Sequence, residues 1–197
     1  MLSDDTTLYA RWFTPVTQDG VTYDKPLDAE IFNTESGALT SGNYVLTDDI
    51  NIPKDLFFVI GGNYDVKIHL NGHKIECNNS TTAFKINGGE LTVTDNEDGT
   101  KGSIISNRNA FTMSSPQNST INLYNVSYRC GSEDYSLIYA GSSASTSINI
   151  YSGEFSPLTA SSDFTIVRVE SHSPTNLMVS GGKCSCTVRK QATENKR

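Results

Sequence analysis

The sequence has 197 residues, enough for one sizeable domain or for one domain with a short appendage. It has 15 Lys and Arg against 22 Asp and Glu, a formal net charge of −7, with no basic cluster in the body of the chain. Nucleic acids and anionic membranes select for clustered Lys and Arg, so neither is expected as a partner. No apolar run approaches the roughly 20 residues that span a bilayer, so membrane insertion is not expected.

The first 43 residues divide into two parts. Residues 1–14 form a unit of their own with a predicted strand, because Asp4–Phe13 alternates between side chains of two faces. The N-terminus has neither the basic nor the apolar region of a signal peptide, so we expect the chain to start inside a longer protein. Residues 15–43 are mixed and polar, and we interpret them as a linker and N-terminal cap with one candidate helical turn at Leu27–Phe32.

Residues 44–186 repeat one pattern of short strands. Five tetrapeptides with apolar first and third residues recur at intervals of 23 to 30 residues: IHLN at Ile68, LTVT at Leu91, INLY at Ile121, INIY at Ile148 and LMVS at Leu177. Alternate side chains of a strand share one face, so the first and third residues predict two inward columns. The second and fourth residues predict two outward columns.

The register extends to both sides of these strands. Seven residues after each start come Ile75, Asp98, Tyr128, Phe155 and Cys184, and ten residues before the last three starts come Phe111, Ile138 and Val167. A repeat of this length predicts an all-β fold, a parallel β-helix of about five to six coils. An antiparallel sandwich or barrel also fits short strands spaced by about 8–12 residues, but the constant offsets favour the β-helix.

Several motifs resemble known families. The segments YVLTDDINI, KIHLNGHKI, AFKINGGELTVTD and SINIYSGEF resemble pectate-lyase-like right-handed parallel β-helix modules of surface proteins from gut Firmicutes and similar bacteria. The segment DDTTLYARW resembles the closing strand of a Listeria–Bacteroides (internalin B-type) repeat. The resemblance implies a right-handed β-helix within a larger secreted or cell-wall-attached protein. The segment that usually precedes the first coil of the family is short here.

The outward columns contain the candidate ligand-binding residues. They are His69, Thr92, Asn122, Asn149 and Met178, and Asn71, Thr94, Tyr124, Tyr151 and Ser180. Neither column contains the paired carboxylates that polysaccharide-cleaving enzymes need. Tyr124 and Tyr151 occupy equivalent positions on adjacent coils beside Asn122 and Asn149, where two stacked rings could bind a sugar. The same rings also fit a cross-strand pair that only stabilises the sheet.

Other candidate residues have structural interpretations beside the functional ones. Asp95, Glu97 and Asp98 are candidate calcium ligands, but Ser106 stands where an EF-hand needs a Glu, so a solvated turn is preferred. No other cofactor is expected. His69 and His73 have a helical metal-site spacing, but the residues between them predict a corner. The four cysteines form no C-x-x-C pairs and are interpreted as small core residues or one incidental disulfide.

The sequence favours a non-catalytic bacterial cell-surface module. In this interpretation a β-helical spacer or adhesin displays a polar face to glycans or to host or cell-surface proteins, outside the cell. The alternative is a carbohydrate-active β-helix enzyme, a polysaccharide lyase or glycosidase, whose catalytic residues lie in loops or in neighbouring domains. Residues 187–197 form a charged tail, and either this tail or a further coil is expected to protect the end of the β-helix.

Overall fold

The structure is a computed structural model, and parallel sheets account for most of it. The described residues are 13–34, 37–78, 82–97, 101–131, 135–142, 144–158, 165–170 and 172–184. Three sheets, which we name A, B and C, are visited in turn by the chain, and every pairing within them is parallel. Each strand pairs with its equivalent one coil later, so the predicted parallel β-helix is confirmed.

Six coils each contribute one strand to each sheet, and sheet B has a seventh strand that precedes the first coil. Sheet A contains β4 (Ala38–Leu39), β7 (Phe58–Gly61), β10 (Phe84–Asn87), β13 (Phe111–Met113), β16 (Ser136–Ala140) and β19 (Thr165–Val169). Sheet B contains β3 (Lys25–Leu27), β5 (Gly42–Leu46), β8 (Asp65–His69), β11 (Gly89–Thr94), β14 (Ser119–Leu123), β17 (Thr146–Ile150) and β20 (Thr175–Val179). Sheet C contains β6 (Ile50–Asn51), β9 (Lys74–Cys77), β12 (Ser103–Ser106), β15 (Ser127–Cys130), β18 (Glu154–Pro157) and β21 (Lys183–Cys184).

The core is a set of columns in which like side chains stack from coil to coil. Leu91, Ile121 and Ile148 form one predicted inward column, and all three are fully buried. In sheet A, Phe58 and Phe84 stack with ring centroids 5.0 Å apart, within a run of four aromatic rings from Phe32 to Phe111. Burial of each such side chain contributes about 1.5–3 kcal/mol, and stacking identical shapes fills a narrow interior without voids.

The predicted register is wrong at one coil. Leu91 pairs with Val66 and not with Ile68, which pairs with Val93. The side chains of a strand alternate with period two, so a shift of two residues leaves the same residues facing inward. The apolar pattern therefore cannot distinguish the two registers. The shift moves His69 out of the column of Asn122 and Asn149.

A second correction concerns the column that contains Ile75. The constant offset assigned Asp98 to it, but Ile104 occupies that place between Ile75 and Tyr128. Asp98 itself lies outside the described residues. The segment between β11 and β12 is longer than its equivalents, so a fixed offset selects a loop residue instead of the strand. The correction removes the one polar exception from an otherwise apolar column.

The N-terminal segment predicted to be a linker is mostly regular structure. Strands β1 (Val16–Gln18) and β2 (Val21–Tyr23) form an antiparallel hairpin, and α1 (Ile31–Thr34) follows it. Asp19 and Gly20 connect the hairpin with φ angles of 51° and 77°, the left-handed pair typical of a two-residue type I′ turn. The first coil begins with β4, ahead of Tyr44. Residues 1–12 lie outside the described residues, so the strand predicted there stays a prediction.

The two ends of the β-helix differ. At the N-terminal end Leu27 and Phe32 belong to the buried core, so side chains cover the first coil. At the other end Leu177 and Val179 are 51% and 61% exposed, and an apolar cavity of about 790 Å³ opens beside them. Residues 185–197, which include the predicted charged tail, lie outside the described residues.

The cysteines divide between core and surface. Cys77 and Cys130 are buried among the apolar residues of the core, as the small-core-residue interpretation predicts. Cys184 is disulfide-bonded. Burial raises the pKa of the Cys130 thiol to about 12, so this thiol stays protonated.

Candidate functional site

The outer face of sheet B carries the candidate site. Every second side chain points away from the core, and equivalent positions form columns that run along the β-helix. One column contains Lys67, Thr92, Asn122, Asn149 and Met178. A second, which we call the outer column, contains Val45, His69, Thr94, Tyr124, Tyr151 and Ser180. His69 therefore shares a column with the two tyrosines.

The β1–β2 hairpin covers the first half of the outer column. Tyr23 of the hairpin packs against His69 with ring centroids 5.1 Å apart. His69 Nδ1 accepts a hydrogen bond from the Asn71 N–H at 3.0 Å, so Nε2 carries the proton and donates to Gln18 Oε1 at 2.8 Å. Burial lowers the pKa of His69, while the charge of Asp95 acts in the opposite direction. His69 is a buried anchor for the hairpin and not an exposed ligand.

Tyr124 and Tyr151 occupy the next two positions, beyond the hairpin. Their rings stack with centroids 4.3 Å apart and an interplanar angle of 5°. Each ring therefore has one face covered by the other ring. The second face of each ring points along the column, away from the pair. The outward face of Tyr124 looks toward Thr94 and the hairpin, and that of Tyr151 looks toward Ser180. The stack therefore leaves one free ring face at each of its two ends and no flat surface formed by both rings.

The phenol of Tyr124 is held in its neutral form. Burial raises the pKa of Tyr124 to about 12, assisted by the hydrogen bond with Tyr151 and by the nearby charges of Glu90 and Asp19. A neutral phenol both donates and accepts hydrogen bonds. Asp19 of the hairpin turn lines the same depression as Tyr124.

Asn122 and Asn149 lie in the neighbouring column and bond to each other. Asn149 Nδ2 donates to Asn122 Oδ1 at 2.8 Å, and Asn122 Nδ2 donates to Glu90 Oε1 at 2.6 Å and to Thr92 Oγ1 at 3.2 Å. The amide groups of Asn122 and Asn149 are thus oriented by hydrogen bonds within the protein. Asn122 is buried beneath this network, so Asn149 is the more accessible of the two predicted binding amides.

A depression of about 200 Å³ separates the hairpin turn from the tyrosine stack. Its lining includes Gln18, Asp19, Glu97, Tyr124, Asn125 and Ser152. Asn125 donates its backbone N–H to Ser152 Oγ at 2.9 Å and its Nδ2 to the Asn96 carbonyl at 2.7 Å. Among the described residues, the Asn125 side-chain oxygen accepts no hydrogen bond and the Ser152 hydroxyl donates none. The depression is smaller than the roughly 300–1,000 Å³ clefts that enclose drug-sized ligands, so it suits a single ring or side group.

Two carboxylates face this depression. Asp19 reaches it from the hairpin turn and Glu97 from the loop after β11. Neither makes an ion pair with a described residue. The lining residues include no Lys or Arg. The depression is therefore acidic on the sides that flank the Tyr124 ring.

Of the three predicted calcium ligands, the structure describes Asp95 and Glu97. Asp95 is fully buried, and its carboxylate accepts hydrogen bonds from the Gly72 N–H at 2.9 Å and from the Gly102 N–H. The interpretation of Asp95 as part of a solvated turn is therefore wrong. Glu97 is exposed, and Asp98 lies outside the described residues. Among the described residues, no group of three or more His, Cys, Asp and Glu side chains is arranged to hold a metal ion.

His73 lies at a corner of the β-helix, as its sequence context predicts. Its Nδ1 is 3.5 Å from Asp49 Oδ1, and the same carboxylate accepts a hydrogen bond from the Lys74 N–H at 3.0 Å. His73 and His69 do not meet, because His73 is half-buried at the corner and His69 is buried beneath the hairpin. The pair therefore has a structural role in the fold.

Sequence reasoning missed the hairpin residues Gln18 and Asp19. A signal was present, because the segment VTQDGVTY places Asp-Gly between two alternating apolar runs, a strong indicator of a type I′ hairpin. That signal predicts the hairpin itself. It does not predict which part of the β-helix the hairpin covers, because Gln18 and His69 are 51 residues apart.

Comparison with known proteins gives no matching family model, no matching curated protein and no matching solved structure. The resemblance to pectate-lyase-like modules and to Listeria–Bacteroides repeats therefore stays an expectation from the motifs. Within the described part of the chain, every helix is too short or too polar to span a membrane. The function must be argued from the outer face of sheet B.

Proposed function

We propose that this chain is a non-catalytic module of a bacterial cell-surface protein, outside the cell or attached to its wall, that binds glycans. The binding surface is the uncovered part of the outer column with its flanking depression. The observation that carries the proposal is the Tyr124–Tyr151 stack, which stands beside a depression lined by hydrogen-bonding groups. The motif resemblance to bacterial surface modules supports the location.

The surface offers both kinds of contact that a sugar needs. A sugar ring has an apolar face formed by C–H groups, which an aromatic ring face can contact, and a rim of hydroxyl groups. The outward face of Tyr124 provides the first contact. Asn125, Ser152 and the Tyr124 hydroxyl provide donors and acceptors for the second. Small-ligand sites combine aromatic walls with a few placed polar groups in this way.

The rigidity of the β-helix also suits a display role. Each coil contacts its neighbours directly, and equivalent positions repeat along an extended surface. The polar network of Glu90, Asn122 and Asn149 holds the face beside the tyrosines in one geometry. A preorganised surface loses less conformational entropy when a ligand binds. These features support a spacer or adhesin function in a larger protein.

A glycan array tests the proposal directly. The wild-type chain is expected to bind a defined set of glycans, and the double variant Tyr124→Ala/Tyr151→Ala is expected to lose this binding by at least about ten-fold, the effect of losing about 1.4 kcal/mol of contact energy. The matched control is Tyr64→Ala, since Tyr64 is a 43% exposed tyrosine outside the outer column. Circular dichroism and thermal melting verify that each variant keeps the β-helix.

Two results would contradict glycan binding at this face. One is the absence of any glycan bound by the wild-type chain. The other is equal binding by the wild-type chain and the double variant in a sample whose fold is intact. Loss of binding in the Tyr64→Ala control as well would assign the effect to general surface change and not to the stack.

A second candidate function is carbohydrate cleavage, and one observation favours it. Asp19 and Glu97 bring two carboxylates to the edge of the same depression from a turn and a loop, and glycosidases act with a pair of carboxylates. Incubation of a bound oligosaccharide with the wild-type chain, followed by chromatography for shortened or unsaturated products, tests this alternative. Product formation that disappears in Asp19→Asn and Glu97→Gln would favour the enzyme, and intact oligosaccharide would favour the binding module.

A further inference from the structure

The depression beside Tyr124 has a charge character that a neutral sugar does not require. Its two charged lining groups, Asp19 and Glu97, are both carboxylates, and neither is neutralised by a described residue. Burying or crowding unpaired carboxylates against a ligand costs free energy unless the ligand brings a positive charge. The lining therefore discriminates against acidic glycans and favours cationic ones.

The hairpin turn holds Asp19 in place. Asp19 and Gly20 occupy the two left-handed positions of the type I′ turn, whose backbone twist matches the flanking strands. The hairpin is anchored in turn by Gln18, which accepts a hydrogen bond from the buried His69 ring at 2.8 Å. The carboxylate is thus presented from a braced element, and it lines the same depression as Tyr124.

The aromatic wall adds a second attraction for a cation. One face of the Tyr124 ring is occupied by Tyr151, and Tyr124 also lines the depression. An ammonium group within about 6 Å of a ring centroid is attracted by the electron-rich face, and Tyr provides such a face. Carboxylates beside an aromatic face form a site for an amine, while Asn125 and Ser152 remain for hydroxyl groups.

We infer that the ligand of this site is a glycan bearing free primary amines, an amino sugar that is not N-acetylated, with its ammonium group between Asp19, Glu97 and the outward face of Tyr124. The inference rests on the proposed glycan-binding function and specifies the substrate class of the same site. Acetylation removes the positive charge that Asp19 and Glu97 attract. The site is therefore expected to bind a glycan with free amines more tightly than its N-acetylated counterpart.

Isothermal titration calorimetry with two matched probes tests the inference. The probes are the β-1,4-linked hexasaccharide of glucosamine and that of N-acetylglucosamine, titrated at mildly acidic pH where the amines are protonated. The wild-type chain is expected to bind the amine-bearing hexasaccharide at least ten-fold more tightly than the acetylated one. Asp19→Asn and Glu97→Gln are each expected to weaken the amine-bearing hexasaccharide about ten-fold, and added salt is expected to weaken it further.

Asp55→Asn is the matched control. Asp55 is exposed and has a φ of 65°, which Asn tolerates, so the variant makes the same charge change outside the site. It is expected to bind like the wild-type chain. An equal loss of affinity in Asp55→Asn and Asp19→Asn would overturn the inference, because the attraction would then come from net charge. Thermal melting of all variants verifies their folding.

The outcomes separate this inference from the proposed function. Equal or tighter binding of the acetylated hexasaccharide, abolished by Tyr124→Ala, would overturn the amine specificity while supporting glycan binding at the stack. Binding of other glycans on the array through the stack, with neither hexasaccharide bound, would have the same meaning. A wild-type chain that binds no glycan at all would overturn both.

Discussion

The outer column of sheet B divides into a covered half and an open half. In the covered half Val45 and His69 are buried beneath the hairpin, with exposed fractions of 1% and 0%, and Thr94, at 6%, lies at the border where it lines the depression. In the open half Tyr124 and Tyr151 stack on each other and remain partly exposed. Both halves lie on equivalent positions of the same sheet, so local strand geometry does not explain the difference. The hairpin explains it, because it covers one half and ends at the other.

The comparison supports the place that we propose for ligand binding. In the covered half, polar groups form hydrogen bonds within the protein, as His69 does with Gln18 and Asn71. At the border between the halves the hairpin stops covering the sheet and begins to line a depression. A boundary between an added element and a regular surface creates a concave site that the β-helix alone does not have. The following predictions test each side of this boundary.

The largest effect is expected at Asp95, which fixes the corner next to the covered half. Asp95→Ala leaves the Gly72 and Gly102 N–H groups without their buried acceptor, so the free energy of unfolding is expected to fall by about 3 kcal/mol. Urea unfolding followed by circular dichroism measures the change. The exposed carboxylate Glu97 provides the control, with Glu97→Ala expected to change stability by less than about 0.5 kcal/mol. A loss below about 1 kcal/mol in Asp95→Ala contradicts the role of this carboxylate.

The next effect concerns His69 and pH. The pKa of His69 is lowered by burial, so the unfolded chain takes up this proton at a higher pH than the folded chain. The contribution of neutral His69 to the free energy of unfolding is fully present above the ordinary His pKa of about 6.5. It is lost as the pH falls toward the pKa of His69 in the folded chain, with a slope of at most about 1.4 kcal/mol per pH unit. Unfolding of the wild-type chain and of His69→Gln across this range measures the difference. Parallel pH curves for the two proteins would show that His69 contributes no such dependence.

The smallest effect is expected in the open half. Tyr124 and Tyr151 form a partly exposed stacked pair, so a double-mutant cycle with Tyr124→Ala and Tyr151→Ala is expected to give a coupling energy of about 0.5–1 kcal/mol. Guanidinium unfolding of the four proteins gives the value. Because the pair contributes little to stability, removing it leaves the fold intact for the binding experiments. A coupling above about 2 kcal/mol would mean that the pair serves the fold as a core contact does.

Much of the fold was predictable because a β-helix repeats its local pattern. The column that contains Leu91, Ile121 and Ile148 follows from the alternation of side chains and a nearly constant repeat length, and the structure confirms it. Ile68 was predicted to pair with Leu91 and pairs with Val93, because a shift of two residues preserves the inward pattern. Asp98 was assigned to the column of Ile104, because a longer loop breaks the constant offset.

The candidate site was predictable only in part. The adjacency of Tyr124 and Tyr151 followed from the repeat, since equivalent positions on successive coils must lie side by side. The depression did not follow, because it needs the hairpin turn to meet the β-helix. No local pattern encodes the contact between Gln18 and His69 across 51 residues of chain. The carboxylate of Asp19 was missed for the same reason.

The sequence by itself determined the stack of coils, because strand alternation and repeat length are local properties that each coil expresses in the same way. The tertiary structure decided which equivalent positions are covered. Ile148 is fully buried and Leu177, its neighbour in the same column, is 51% exposed, although both have the same local pattern. Tyr124 borders a depression and His69 lies beneath the hairpin for the same physical reason. Burial depends on which distant segment packs against a face, and periodicity carries no information about that segment.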